Sequence, residues 1–361
     1  MHLKKTPLHA FHNKHGAKLV PFAGWEMPVQ YSGILEEHKN VRNQAGLFDV
    51  SHMGEAAVEG KEAKPFLDYV CTNKFHDLKP GRARYTLICQ PDGGCVDDVI
   101  VYCRDDERFL ICLNAANSDK DIQWLQQHAE NFKVKVSDES AEWAQLALQG
   151  PVAEKILQRL TSTQLKDIPF FGFEEGEIAG VSLLIARTGY TGEPGFELYV
   201  PPEQATELAE KLLETGKEDG LTPVGLGARD SLRLEAGYPL YGHEISESIS
   251  PLEGGLQFAV KLKKEGDFIG KSALHQQKQA GIPRQIIHYR LQDRRIARPG
   301  TPIEQDNQKV GEVVSGTHSP TLNAPMGSAL IRTDAANASS TLYANIRNKH
   351  YHLDIIQPPI V

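Results

Sequence analysis

The chain has 361 residues, 40% hydrophobic and 24% charged, with a formal net charge of −8. That length exceeds a single hydrophobic core, so roughly two or three domains are expected, and the acidic balance argues against nucleic-acid binding, which needs clustered Lys and Arg. No apolar run approaches the ~18 residues of a membrane span and the amino end, Met1 to Pro7, has no signal-peptide core, so a cytoplasmic protein is expected.

In chain order, Gly33 to Ala45 predicts an amphipathic helix, with Ile34, Leu35, His38 and Val41 on one side and Gly46 as its stop. A strand near Glu55 to Val58, a helix near Ala63 to Val70, a hairpin, a strand Phe109 to Leu113, a helix Ser118 to Ala129 and a strand Phe132 to Val136 follow. This is the split βαβ order, which buries both helices against one sheet face. In the hairpin, turn residues Pro91 to Gly94 separate Ala83 to Gln90 from a run ending at Tyr102. Alternation puts Asp98 on one face with Ile100 and Tyr102, and Asp97 on the other with Val99 and Val101. An ionised carboxylate on an apolar face costs several kcal/mol unless compensated, so this position is either paired structurally or kept for a ligand.

A second β, α, β, β, α series begins with Trp143 to Leu148. It continues with Pro151 opening a helix over Val152 to Leu160, strands Val181 to Arg187 and Phe196 to Val200, and a helix Gln204 to Leu213. Phe196, Leu198 and Val200 share one strand face, leaving Glu197 with Tyr199 on the other; a solvent-exposed Glu is the plain alternative to a ligand-facing one. Gly225 to Gly237 reads as a helix with Arg229 and Arg233 on one face, where pairing with Asp230 or Glu235 is the plain alternative. Beyond about Lys271, short strands broken by Gly and Pro predict a small β-barrel or sandwich.

Several motifs are excluded. Gly225-Leu226-Gly227 lacks the third glycine of a dinucleotide fingerprint, Gly266 to Ser272 is one residue short of a phosphate-cradling loop, and no Gly-x-Ser-x-Gly elbow occurs. The 5 cysteines contain no Cys-x-x-Cys pair and read as free, partly buried thiols, with Cys89 and Cys95 near neighbours across the hairpin turn. The 14 histidines include no His-Glu-x-x-His set, so no metal is expected. Lys261 to Lys264 and Arg294 to Arg298 are the dense basic patches, read as solvated faces or as attractors of an acidic partner or polyanionic substrate tail.

Phe22-Ala23-Gly24-Trp25, Phe48-Asp49-Val50-Ser51-His52-Met53, Arg187 to Glu193 leading into Gly195-Phe196-Glu197, and Gly227 to Gly242 occur in one chain. From about Thr6 to the carboxyl end, in order and spacing, the sequence closely resembles the T-protein (aminomethyltransferase) family of the glycine cleavage system. The resemblance implies an α+β fold of three domains, two ferredoxin-like (split βαβ) units and a C-terminal β-barrel around a central folate site. The expected division is 1–53 with 139–250 as a discontinuous first unit, 54–138 as the second, 251–270 connecting, and 271–361 as the barrel.

The implied reaction transfers the methylene of a lipoyl-bound aminomethyl group on the H-protein to tetrahydrofolate, the acceptor substrate, giving 5,10-methylenetetrahydrofolate and ammonia without a metal. Asp98 is expected at the reacting centre, stabilising an iminium-like species, accepting a proton, or both. By the same resemblance Glu197 grips the pterin edge with two acceptor oxygens, Arg229 binds or orients a carboxylate in the folate or substrate site, and Arg347 returns to that site from the carboxyl end. Tyr85, Tyr102, Tyr190, Met53 and Asn114 match positions lining the pterin pocket; plain core packing, or helix capping for Asn114, is the alternative. The competing classes are a folate-binding protein without transferase activity and a folate-dependent demethylase of a small methylated compound.

Overall fold

Strand alternation and helix periodicity organise the computed structural model, which describes residues 3–336 and 341–360; the first two residues of the amino-terminal segment lie outside the described residues. Two compact units are present. The first comprises Met1–Leu67, Phe75–Tyr85 and Val99–Arg229, and the second Asp68–Lys74, Thr86–Asp98 and Asp230–Val361.

The chain begins with α1 (His9–Lys14), the hairpin β1 (Lys18–Phe22) and β2 (Trp25–Gln30), α2 (Ile34–Asn43) and β3 (Ala45–Asp49). Next come β4 (Gly54–Glu59), α3 (Ala63–Val70), β5 (Arg82–Cys89), β6 (Cys95–Cys103), β7 (Arg108–Leu113), α4 (Ser118–Ala129) and β8 (Lys135–Asp138). The series β9 (Ala144–Gln149), α5 (Ala153–Gln158), β10 (Phe173–Ile178), β11 (Val181–Ala186), β12 (Gly195–Val200), α6 (Pro202–Gly216), β13 (Leu221–Val224) and α7 (Leu226–Ala236) follows.

One sheet runs β5-β6-β7-β4-β8; three strands, β5, β6 and β7, lie between α3 and α4, one more than the strand-helix-strand-strand-helix-strand reading of the first segment has. A six-stranded sheet runs β10-β11-β12-β9-β3-β13, antiparallel except where β13 lies parallel to β3. Its even-numbered β9 and β12 residues, Leu146, Leu148, Phe196 and Leu198, join Ile156 and Leu157 of α5 and Leu208 and Leu212 of α6 in one buried cluster. Each such side chain contributes about 1.5–3 kcal/mol of transfer free energy, which fixes the register of these strands. The opposite face carries Gln145, Gln149, Glu197 and Tyr199.

Three local expectations are corrected. Gly46 is not a helix stop but a residue of the buried strand β3; a Cβ there would stand 2.5 Å from Val224 Cγ2 and 2.6 Å from Val41 Cγ2. The strand expected at Phe132 to Val136 begins at Lys135, because Phe132 closes α4 through its N–H to Ala129 O at 2.9 Å and meets the Phe66 ring edge-on at 5.5 Å. Lys264 is no solvated face residue: its buried ammonium donates to Asp68 O, Cys71 O and Asn73 O at 2.6, 2.7 and 2.7 Å.

In the second unit, α8 (Lys271–Ala280) precedes the barrel; its sequence contains no β-branched residue and buries Leu274. The barrel strands are β14 (Arg284–Leu291), β15 (Pro302–Gln305), β16 (Gln308–Ser319), β17 (Ala324–Arg332), β18 (Leu342–Ile346) and β19 (Lys349–Ile356). They close in the order β14-β17-β16-β15-β18-β19 around Tyr289, Leu291, Ile303, Val313, Ile331 and Leu353. Cys71, Cys89, Cys95, Cys103 and Cys112 are buried, free thiols.

Candidate active site

The polar face of the six-stranded sheet meets a second core made of Tyr102, Leu110, Cys112, Phe173, Leu184, Ala186 and Tyr199. The Tyr102 and Tyr199 rings meet edge-on with centroids 5.3 Å apart. Glu197, only 5% exposed, lies on this face, which overturns the solvent-exposed alternative. Thr188 donates its hydroxyl to Glu197 Oε2 at 2.6 Å. Since that uses the only Thr188 hydroxyl proton, the Tyr102 hydroxyl, 3.4 Å from Thr188 Oγ1, is the donor in their contact. Tyr199 donates to Tyr102 Oη at 3.1 Å and Gln145 Nε2 donates to Tyr199 Oη at 3.2 Å. Burial pushes both tyrosines well above the usual phenol range, so both remain donors. Burial also raises Glu197, opposed by the Thr188 hydrogen bond and the Arg229 charge. Among the described residues no hydrogen bond reaches Glu197 Oε1.

Arg229, half-buried on α7, stacks its guanidinium 4.7 Å from the Tyr190 ring centroid. Its guanidinium makes no hydrogen bond among the described residues, while its charge acts on Glu197 and on His52. His52 was visible in sequence only as part of a motif. It is 4% exposed, and burial with the Arg229 charge holds its pKa down at about 4 against the opposing Asp49, so the imidazole is neutral. Its Nδ1 has no partner among the described residues. Neighbouring Asp49 is saturated, taking Thr6 Oγ1 at 2.6 Å and His12 Nε2 at 2.8 Å on one oxygen and the Ser51 N–H at 2.8 Å on the other. Burial raises the Asp49 pKa, but these hydrogen bonds and the His12 charge bring it below the usual range.

Of the other expected residues, Met53 packs against the cluster that contains Tyr102. Tyr85 is half-buried on β5, two residues beyond Ala83 of the same cluster. Asn114 is half-buried after β7; α4 starts from Asn117, which leaves Asn114 outside the cap position, although its carbonyl accepts from Asn117 N at 2.9 Å. Asp98 is half-buried and Asp97 fully buried, both within the segment Thr86–Asp98 of the second unit. Arg347 occupies the exposed two-residue turn between β18 and β19, with φ of 52° beside Asn348 at 61°.

Arg233 has a structural role in the second unit. It is 1% exposed and donates to Asp230 Oδ1 at 2.9 Å, Glu244 Oε2 at 2.9 Å, Ser315 Oγ at 2.9 Å and Tyr238 O at 3.1 Å. Burial raises the Glu244 pKa, but Arg233 and the Ser328 hydroxyl outweigh it and hold the carboxyl below its usual range. Among the described residues no group of three or more His, Cys, Asp or Glu is arranged to hold a metal ion. No described helix is long and apolar enough to cross a membrane.

The GCVT N-terminal domain family matches residues 8–264, and the glycine cleavage T-protein C-terminal barrel domain matches residues 284–361. An aminomethyltransferase of Desulfitobacterium hafniense strain Y51 is 50% identical over 354 residues, covering 98% of this chain and 97% of that protein. An aminomethyltransferase of Halalkalibacterium halodurans is 48% identical over 358 residues, covering 99% and 98%. The crystal structure of the glycine cleavage system aminomethyltransferase T from Bartonella henselae superposes with a TM-score of 0.93 at 34% identity, covering 100% of this chain and 98% of that one. With both sequence families and the whole fold in agreement, the chain belongs to the glycine cleavage T-protein family.

Proposed function

We propose that this protein is an aminomethyltransferase that moves the methylene of an aminomethyl group, carried on the lipoyl arm of an H-protein, to tetrahydrofolate. The products are 5,10-methylenetetrahydrofolate, ammonia and the dihydrolipoyl carrier. Family membership supports the reaction class. The observation that carries the folate site is Glu197, a buried carboxylate with one oxygen anchored and the other without a donor among the described residues, beside an arginine whose guanidinium has no hydrogen-bond acceptor among them. A pterin edge presents a ring N–H and an exocyclic amine, two donors that such a carboxylate accepts. Arg229 suits a carboxylate of the folate or an electron-rich ring edge.

In this reading no protein nucleophile is needed. The folate amine attacks the S–CH₂–N carbon and ammonia departs with the proton that this amine gives up; the second folate nitrogen then closes the ring, breaking the C–S bond, and loses its proton, which ends on the released lipoyl sulfur. Asp98 is assigned to the reacting centre, where a carboxylate stabilises the iminium-like species and accepts that proton. Tyr85, Tyr102, Tyr190, Met53 and Asn114 are assigned to the pterin walls, and Arg347 to the same site. We take the cytoplasm as the place of action.

Comparing donors tests the assignment. Lipoylated carrier charged with aminomethyl groups should support tetrahydrofolate-dependent turnover, and small N-methylated amines should not. Turnover of the small amines alone would replace this reading with a demethylase.

A further inference from the structure

Thr188 occupies a position fixed from two directions. Gln149 Nε2 donates to its carbonyl at 3.1 Å, and Thr191 returns a hydrogen bond to Gln149 Oε1 at 2.9 Å. Gly189 and Gly195 make room for that glutamine; a Cβ on either would come within 1.9 and 2.6 Å of its amide. The hydroxyl is fixed as well, at the end of the chain from Gln145 through Tyr199 and Tyr102. At the far end, Cys112 Sγ donates to Gln145 Oε1 at 3.7 Å, which orients the amide so that its NH₂ faces Tyr199. Each hydroxyl has one proton, and each proton is committed in the same direction, toward Glu197 Oε2.

We infer that Thr188 is a positioning residue for the acceptor substrate: it fixes the Glu197 carboxylate and reserves Oε1 for the donor edge of a heterocycle. This rests on the reading that Glu197 grips the pterin. A carboxylate with four lone-pair sites and no fixed partner rotates about its last bond, and a ligand must then freeze that rotation. The Thr188 hydrogen bond fixes it before the ligand arrives. A donor-edged ligand meets Oε1 of the ionised carboxylate directly, whereas an acceptor-edged ligand is met only after Glu197 takes up a proton on Oε1. Thr188, Tyr199 and Gln145 act through Glu197 rather than on the reacting atoms.

The test compares Thr188→Val, which keeps shape and removes the hydroxyl, with Thr188→Ser, which keeps the hydroxyl, and with Glu197→Ala. Tetrahydrofolate affinity is measured by calorimetry and kcat at saturating folate. Thr188→Val should weaken affinity by about 10- to 100-fold, the range for a hydrogen bond to a charged group, with kcat within about 3-fold. Thr188→Ser should stay within about 2-fold of the parent, and adding Thr188→Val to Glu197→Ala should cost little more than Glu197→Ala alone. Should the valine variant not fold, Thr188→Ala is measured in its place. Unchanged affinity in Thr188→Val or Thr188→Ala, with affinity lost in Glu197→Ala, would overturn the positioning role and leave the pterin anchor standing. Unchanged affinity in Glu197→Ala would overturn the anchor itself.

Discussion

At the scale of single residues, Glu197 was legible because strand alternation separates it from Phe196 and Leu198 whatever the fold. The relay behind its Thr188 partner was not, because the Tyr199–Tyr102 bond joins residues 97 positions apart and no local pattern announces it. His52 was hidden for the same reason; its burial beside Arg229 is a tertiary fact. Glu197→Ala should weaken tetrahydrofolate binding by about 2 to 4 kcal/mol by calorimetric titration, since the pterin donors lose their buried partner. Glu197→Gln should recover only part of this, having one acceptor where two are required. The same glutamine should make the folate-free protein more stable. Burial raises the Glu197 pKa from its ordinary 4.5, so the unfolded chain releases this proton first, and stability falls as pH rises through the folded value. Thermal unfolding across pH should show a gain for Glu197→Gln near neutrality that disappears below the unfolded value. A constant difference at all pH values would remove Glu197 ionisation as its cause.

The adjacent aspartates differ in burial, Asp97 buried with Val99 and Val101 and Asp98 half-buried with Ile100. Asp98→Asn should lower turnover by about 10²- to 10⁴-fold while folate affinity stays within several-fold, as for loss of a positioned acid–base group. Asp97 is fully buried, so Asp97→Asn should act on the midpoint of unfolding more than on turnover per folded molecule. Equal losses of turnover in both variants, at unchanged stability, would contradict the assignment of Asp98.

At the scale of elements, helices and strands with strong periodicity were readable to within a few residues, and three failures share a cause. Gly46 carries a stop signal in sequence but is a glycine because β3 is crowded between Val41 and Val224. Phe132 has strand propensity but finds the Phe66 ring, and α8 sits where turn residues suggested only strands. Tertiary packing decides each case, and propensity is the weaker prior. Helix α7 shows the limit of spacing arguments most directly: Arg229 and Arg233 are one turn apart, yet one guanidinium lacks hydrogen-bond acceptors among the described residues and the other is saturated. Arg233→Met should therefore destabilise the protein by about 3–5 kcal/mol in chemical denaturation, because Glu244 is left charged and buried without its cation. A change below about 1 kcal/mol would mean that the Ser328 and Leu240 hydrogen bonds suffice for Glu244.

At the scale of the whole molecule, composition excluded classes without naming a function, and the ordered motifs from Phe22 to Gly242 carried the family. The barrel was visible as Gly- and Pro-broken strands, and the family match to it begins at residue 284, where β14 starts. What sequence did not supply was the polar relay that ties one sheet to the other within the first unit. The central claim is that this chain couples release of ammonia to capture of the methylene by folate. A single-turnover experiment measures that coupling directly: lipoylated carrier charged with aminomethyl groups is mixed with excess enzyme, and ammonia and 5,10-methylenetetrahydrofolate are followed together. The expected result is equal amounts of both products at one rate, with ammonia release strongly slowed when tetrahydrofolate is omitted. Ammonia released at the same rate without folate, or folate bound with no methylene formed, would contradict the account.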